Sequence, residues 1–151
     1  MSRVVVCAAA LFLGGATAPC LVLACTCPRV RPGPEPLARA DVVFLGRVLE
    51  APPVSDAPRP PVTFEVLEVF KGELPRQVRV DPGGTTCGIR RWRRGEQWIV
   101  FATRDGEGLR TRQCTGTARL ARPGRPLSEE ARRTLRSLGR GRPPASSDPG
   151  H

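Results

Sequence analysis

The 151-residue chain has no tyrosine, one histidine and one lysine, Lys71. The histidine is His151, the last residue, so no Ser/His/Asp or Cys/His set can be assembled and no enzyme is expected. Paired acids such as Glu65 and Glu68 fall within one strand-like run and read as solvent-facing. With aromatics at 5% of residues there is little on which bases could stack, so no nucleic-acid partner is expected. Past the first two dozen residues, no stretch approaches the roughly 20 apolar residues of a membrane-spanning helix. No internal repeat is present, which excludes a solenoid. No strand-like run is followed by a helix of crossover length, which argues against a parallel sheet.

What the chain does contain begins with a leader. Arg3 forms a positive n-region, residues 4–13 an apolar h-region, and Val22 and Ala24 the small residues of a cleavage site. Residues 1–24 therefore read as a signal peptide, and the product as secreted or otherwise extracytoplasmic. Cleavage after Ala24 leaves 127 residues that start Cys25-Thr26-Cys27-Pro28. Of six cysteines, Cys7 and Cys20 leave with the leader. Cys25, Cys27, Cys87 and Cys114 remain, an even set that predicts two disulfides in an exported chain. A Cys25–Cys27 bridge would be strained and would tie nothing together, so each should reach one of Cys87 and Cys114. Loops of such length stabilise by roughly 4 kcal/mol each on the chain-entropy account. A competing reading takes V-L-A-C as a degraded lipobox. Acylation of Cys25 would then strand an odd cysteine among three. Soft-metal capture by a reduced C-x-C pair does not suit an oxidising compartment, and no cofactor is expected.

The mature chain carries 23 basic residues, only one of them lysine, against 14 acidic ones, a net +9. So complete a bias to arginine, beside abundant Ala, Gly and Pro, reflects codon composition as well as charge. Its densest stretch is Arg90-Arg91-Trp92-Arg93-Arg94. Either this is a solvated loop with Trp92 pinned to the core, or its arginines Arg90, Arg91, Arg93 and Arg94 hold a polyanionic glycan or envelope polymer.

Residues 29–36 are too rich in Pro and Arg for regular structure, and 35–40 can hold one helical turn. Residues 41–49 (D-V-V-F-L-G-R-V-L) and 62–70 (V-T-F-E-V-L-E-V-F) are dense in β-branched and aromatic residues and predict strands. Gly46 within the first marks a bulge or bend. Five prolines make 51–61 a loop. Val78 and Val80 flank Arg79 in a short third strand, and Asp81-Pro82-Gly83-Gly84 turns the chain. The apolar run 98–102 (W-I-V-F-A) predicts a fourth strand buried on both faces. Asp105-Gly106-Glu107-Gly108 is a hairpin signal leading into a fifth at 109–111. Ser128 as N-cap, Glu129 and Glu130 in the first turn and Gly139 as the stop bound a helix whose Ala131, Leu135 and Leu138 share a face. The Arg/Pro/Ser/Gly composition of 140–151 predicts disorder. The fold class is thus all-β, a five-stranded OB-fold-like closed barrel with a C-terminal helix and two disulfides. Residues 25–120 make the barrel and 121–139 the linker and helix.

On these residues the chain resembles the tissue inhibitor of metalloproteinases family within the netrin-like domains. The resemblance rests on Cys25-Thr26-Cys27, A-D-V-V-F-L-G-R-V at 40–48, Phe70-Lys71-Gly72, Thr86-Cys87-Gly88, W-I-V-F-A at 98–102, and Cys114. The terminal helix is similar to the tail of exported bacterial members. The resemblance implies pairings of Cys25 with Cys87 and Cys27 with Cys114, and a zinc metalloproteinase as partner. It also implies that the Cys25 amine and carbonyl oxygen chelate the catalytic zinc and displace its water, with Thr26 entering the specificity pocket. Thr85, Thr86, Cys87 and Gly88 would form the second contact edge. The chain departs from the family in placing Pro28 directly after the second cysteine, and in lacking both a third bridge and the cysteine-rich second domain. These departures bear on potency more than on fold.

Overall fold

The structure is a computed structural model that describes residues 30–51, 53, 60–84, 88–89 and 91–146. Its elements in chain order are α1 (Pro34–Arg39), β1 (Val42–Glu50), β2 (Val62–Lys71), β3 (Gln77–Asp81), β4 (Gln97–Asp105), β5 (Gly108–Arg110), β6 (Ala118–Ala121) and α2 (Glu129–Ser137), with a 3-10 turn at Gln113–Thr115 between β5 and β6. The strands run in the order β1-β2-β3-β5-β4, and β1 pairs back onto β4, closing a five-stranded barrel. All barrel pairings are antiparallel except β3 with β5, which is parallel. An OB-type barrel is compatible with this order.

Alternation along the strands divides the apolar residues between two cores. Val42, Phe44 and Val48 of β1 point into the barrel with Phe64, Val80, Val100 and Leu109. Val43 and Leu45 of β1 and Ile99 and Phe101 of β4 point outward, beneath Leu135 and Leu138 at the C-terminal end of α2. This is why 98–102 reads as an unbroken apolar run: β4 is covered on both faces. Inside the barrel an edge-to-face chain joins Phe44 to Phe64 at 5.6 Å and Phe64 to Trp92 at 5.3 Å, and Trp92 lies tilted 4.2 Å from Trp98. Each such pair contributes roughly 0.5–1.5 kcal/mol beyond its burial. The register of β1 on β2 shifts between Leu45 and Gly46, where a bend was expected. A Cβ on Gly46 would lie 2.7 Å from Phe44 Cε2 and 3.0 Å from Phe64 Cδ1, so only glycine admits this aromatic packing.

The predicted helix forms with its predicted ends. Ser128 Oγ accepts the Ala131 N–H at 3.1 Å, and Gly139 follows the last turn with φ at +98°. Lys71 donates to the carbonyls of Leu37 and Ala38, both at 3.0 Å, so the one lysine satisfies two of the unpaired carbonyls at the end of α1.

Two expectations are corrected. A sixth strand, β6, adds to the free edge of β4, with Gln97 opposite Ala121 and Ile99 opposite Ala118. Its sequence, A-R-L-A, has no β-branched residue, and partner geometry alone makes it a strand. Nor does order end at residue 140. Arg142 exchanges both backbone hydrogen bonds with Val69 at 2.8 Å, and the Ala145 N–H donates to Leu74 O at 2.8 Å. Beyond the span paired with β3, β2 offers an open edge, and main-chain bonds to such an edge need no apolar side chain. The remainder of the expected tail, 147–151, and the whole leader lie outside the described residues.

Candidate functional site

Of the residues implicated by the resemblance, Cys25, Thr26, Cys27, Thr85, Thr86 and Cys87 lie outside the described residues, whereas Gly88 and Cys114 fall within them. The loop that Gly88 belongs to is anchored at its base by Asp81. One Asp81 carboxylate oxygen accepts the Gly83 N–H at 2.9 Å and the other accepts Arg110 Nε at 2.9 Å. That hydrogen bond, with the charge of Asp105 at 2.6 Å, raises the Arg110 pKa above the ordinary guanidinium value. The Gly88 N–H then donates to Gly84 O at 2.9 Å and the Ile89 N–H to Pro82 O at 3.0 Å. These bonds bring residues 84 and 88 together so closely that a Cβ on Gly88 would collide with Gly84 O. Gln113 reaches across from the 3-10 turn, its Nε2 donating to Gly88 O at 3.2 Å.

Cys114 follows Gln113 directly in the 3-10 turn. It lines a cleft of about 130 Å³ together with Val30, Pro36, Ala40, Phe101 and Ala102. Val30 and Cys114 thus line one cleft whose other walls come from α1 and β4.

The arginine-rich stretch is held by groups that its composition hides. Arg91, Arg93 and Arg94 are exposed, Trp92 is buried, and Arg90 lies outside the described residues. The Trp92 indole N–H donates to Ile89 O at 3.0 Å. Beneath the loop sits Glu96, 1% exposed. One of its carboxylate oxygens accepts the Arg93 N–H at 3.1 Å and Trp98 Nε1 at 3.0 Å, and the other accepts Arg119 Nη1 at 3.0 Å. Three donors thereby engage this carboxylate, which offsets the cost of taking it out of water. The arginines are thus displayed on a loop whose interior side is fixed.

Sequence reasoning missed Glu96, and it also missed a threonine seam. Between its pairings with β6 and β5, β4 has a gap at Phe101. There Thr117 Oγ1 accepts the Phe101 N–H at 2.9 Å, and Thr111 Oγ1 donates to Phe101 O at 2.9 Å. Thr111 and Thr117 hydroxyls lie 2.7 Å apart, so side chains continue the ladder where no strand can. The run of threonines at 111, 115 and 117, just after β5, was the available signal. Glu65 pairs with Arg47 at 3.0 Å, both side chains half-exposed, in keeping with a solvent-facing acid.

Among the described residues no three of His, Cys, Asp and Glu converge as a metal site, and no helix is long and apolar enough to cross a membrane. Compared with the profiles of known protein families and with curated proteins, the chain matches none.

Proposed function

We propose that the chain is an exported metalloproteinase inhibitor of the tissue-inhibitor, netrin-like type. The observation that carries this reading is the bond from Gln113, the neighbour of Cys114, to Gly88. It ties the flank of the implied second contact loop to the residue next to an expected staple. The position of Val30 on the same cleft as Cys114 adds support. Cys27 is three residues upstream, a reach of about 10 Å, so a Cys27–Cys114 bridge is within the span of the chain. Pairing of Cys25 with Cys87 would complete the set and hold the mature N-terminus against the 85–88 loop. The closed barrel provides the rigid base that such a wedge requires.

In this reading the free amine and carbonyl oxygen of Cys25 take two positions on the zinc of a target endopeptidase and displace the attacking water. An α-amino group with a pKa near 8 loses its proton readily on a metal. Thr26 fills the adjoining pocket. The test is inhibition of a panel of zinc endopeptidases by the mature protein, with and without N-terminal acetylation. Inhibition by the free form alone is expected. Equal inhibition by both forms, or none by either, removes the chelate mechanism.

The exposure of Arg91, Arg93 and Arg94 supports a second reading, an envelope interaction module that binds polyanions. None of the three makes an ion pair among the described residues. Here salt-sensitive retention on a polyanion is expected, lost on replacing Arg90, Arg91, Arg93 and Arg94, with no effect on proteases.

A further inference from the structure

We infer that the arginine-rich surface is a defined two-turn site for a linear phosphate polymer that carries no bases. The inference deepens the second reading above and is independent of the inhibitor mechanism. Its starting point is a pair of matching turns. Arg93-Arg94-Gly95-Glu96 closes through the Glu96 N–H on Arg93 O at 3.1 Å, with Gly95 at φ +82°. Arg122-Pro123-Gly124-Arg125 closes through the Arg125 N–H on Arg122 O at 3.1 Å, with Gly124 at φ +68°. Each has its glycine at the third position, where positive φ is required. The first turn enters β4 and the second leaves β6, at the same end of one antiparallel pair in which Gln97 faces Ala121. They touch: a Cβ on Gly95 would lie 3.2 Å from Pro123 Cβ. The close approach brings Arg122 and Arg125, 28 or more residues distant in sequence, beside Arg93 and Arg94.

All four arginines are exposed, and none pairs with an acid among the described residues. The acid within the first turn, Glu96, is buried with its carboxylate engaged by Arg119 and Trp98. Four guanidinium groups displayed on two touching turns make a patch of one sign, which favours an anion that several of them can share. Guanidinium forks match phosphate oxygens two at a time. A polymer with a phosphate at every repeat can meet four of them on two adjacent turns, where a uronate polymer with one charge per disaccharide cannot. Bases would find no platform, because Trp92 and Trp98 are both buried.

The experiment titrates the purified protein against long-chain inorganic polyphosphate from 50 to 200 mM salt, with single-stranded DNA and a uronate polysaccharide alongside. Four contacts at about 0.7 released counterions each imply roughly fifty-fold weakening across that range. R93Q/R94Q/R122Q/R125Q should lose roughly thirty-fold or more at 50 mM and most of its salt dependence. R122Q/R125Q, which leaves the Trp92 loop intact, should lose about half of the salt slope. R39Q/R132Q/R133Q/R140Q removes the same charge elsewhere and should stay within about threefold, the size expected of diffuse attraction. If that control loses as much as the turn variant, the two-turn site is wrong while a diffuse polyanion surface survives. Tighter binding of DNA or uronate overturns the phosphate assignment. Absence of binding to any polyanion removes the inference and the second reading together, and leaves the inhibitor mechanism untouched.

Discussion

Replacing Glu96 tests whether the arginine-rich loop is held from beneath by a single buried carboxylate. Glu96→Ala leaves the Trp98 indole N–H buried without an acceptor and the Arg93 N–H partly so. Each stranded donor costs about 1–3 kcal/mol, less for the partly wet Arg93 group. Arg119 is 44% exposed and can turn to water, so its loss adds little. Together the change should destabilise by about 3–5 kcal/mol, the range found when one partner of a buried pair is removed. Glu96→Gln keeps one oxygen for Trp98 and Arg93 and turns its amide toward Arg119, for about 1–2 kcal/mol. The difference between the two variants is the informative quantity. Urea titration followed by fluorescence reads it directly, because Trp92 and Trp98 are in contact and both flank the loop. Glu96→Gln/Arg119→Gln should be no worse than Glu96→Gln alone. The reasoning fails if Glu96→Ala costs under about 1 kcal/mol, since that lies below the penalty for one stranded donor. It fails equally if Gln and Ala are the same, because the retained acceptor would then have no effect.

Gly46→Ala places a methyl between Phe44 and Phe64, both fully buried, and should destabilise by about 1–3 kcal/mol in the same titration. Thr111→Val keeps the shape but removes the hydroxyl that donates to Phe101 O, and should cost about 1–2 kcal/mol in the same titration. Ser128→Ala removes the cap of α2 for about 1 kcal/mol, read as a lower melting temperature. At Glu129 the hydrogen bond and charge of Arg136 lower the carboxyl pKa. Stability from that pair is therefore complete above the ordinary carboxylate pKa and is lost as pH falls through the lowered one. Glu129→Gln should show a flatter loss of stability on its acid limb than the parent, measured by melting from pH 7 to pH 3.

The strands that were legible in the sequence are those whose side chains meet a core. β1, β2 and β4 carry branched and aromatic residues because they are buried on one face or both, and α2 announces its ends through Ser128 and Gly139. What was not legible is held by main-chain pairing. β6 and the segment around Arg142 attach to edges left open by β4 and β2, and the identity of their side chains has little part in that. The same distinction runs through the candidate site. Trp92 could be expected to pin the loop because it is large and apolar. Glu96 looks like any loop acid. Its burial exists only where Trp98 from β4 and Arg119 from β6 converge, 23 residues apart for the acid and its arginine. Gly88 could be placed in a loop, but its contact with Gln113 depends on the parallel joining of β3 to β5.

The two proposed surfaces occupy different ends of one strand, and that decides whether they can act together. The arginine turns abut Gln97, where β4 begins, while the cleft beside Cys114 is lined by Ala102 and Thr103. Six residues of extended strand separate them by about 20 Å. At that distance, and with no shared side chain among the residues named, effects at the two sites should add rather than couple. Charge at the turns can still act across the barrel through its field, but salt at physiological strength screens this beyond about 8 Å. A polymer held at the turns would therefore leave the cleft beside Cys114 free. On the two proposals, tethering and inhibition need not be rivals, since a phosphate polymer held at one end of β4 leaves the cleft beside Cys114, at the other end, open to a second partner.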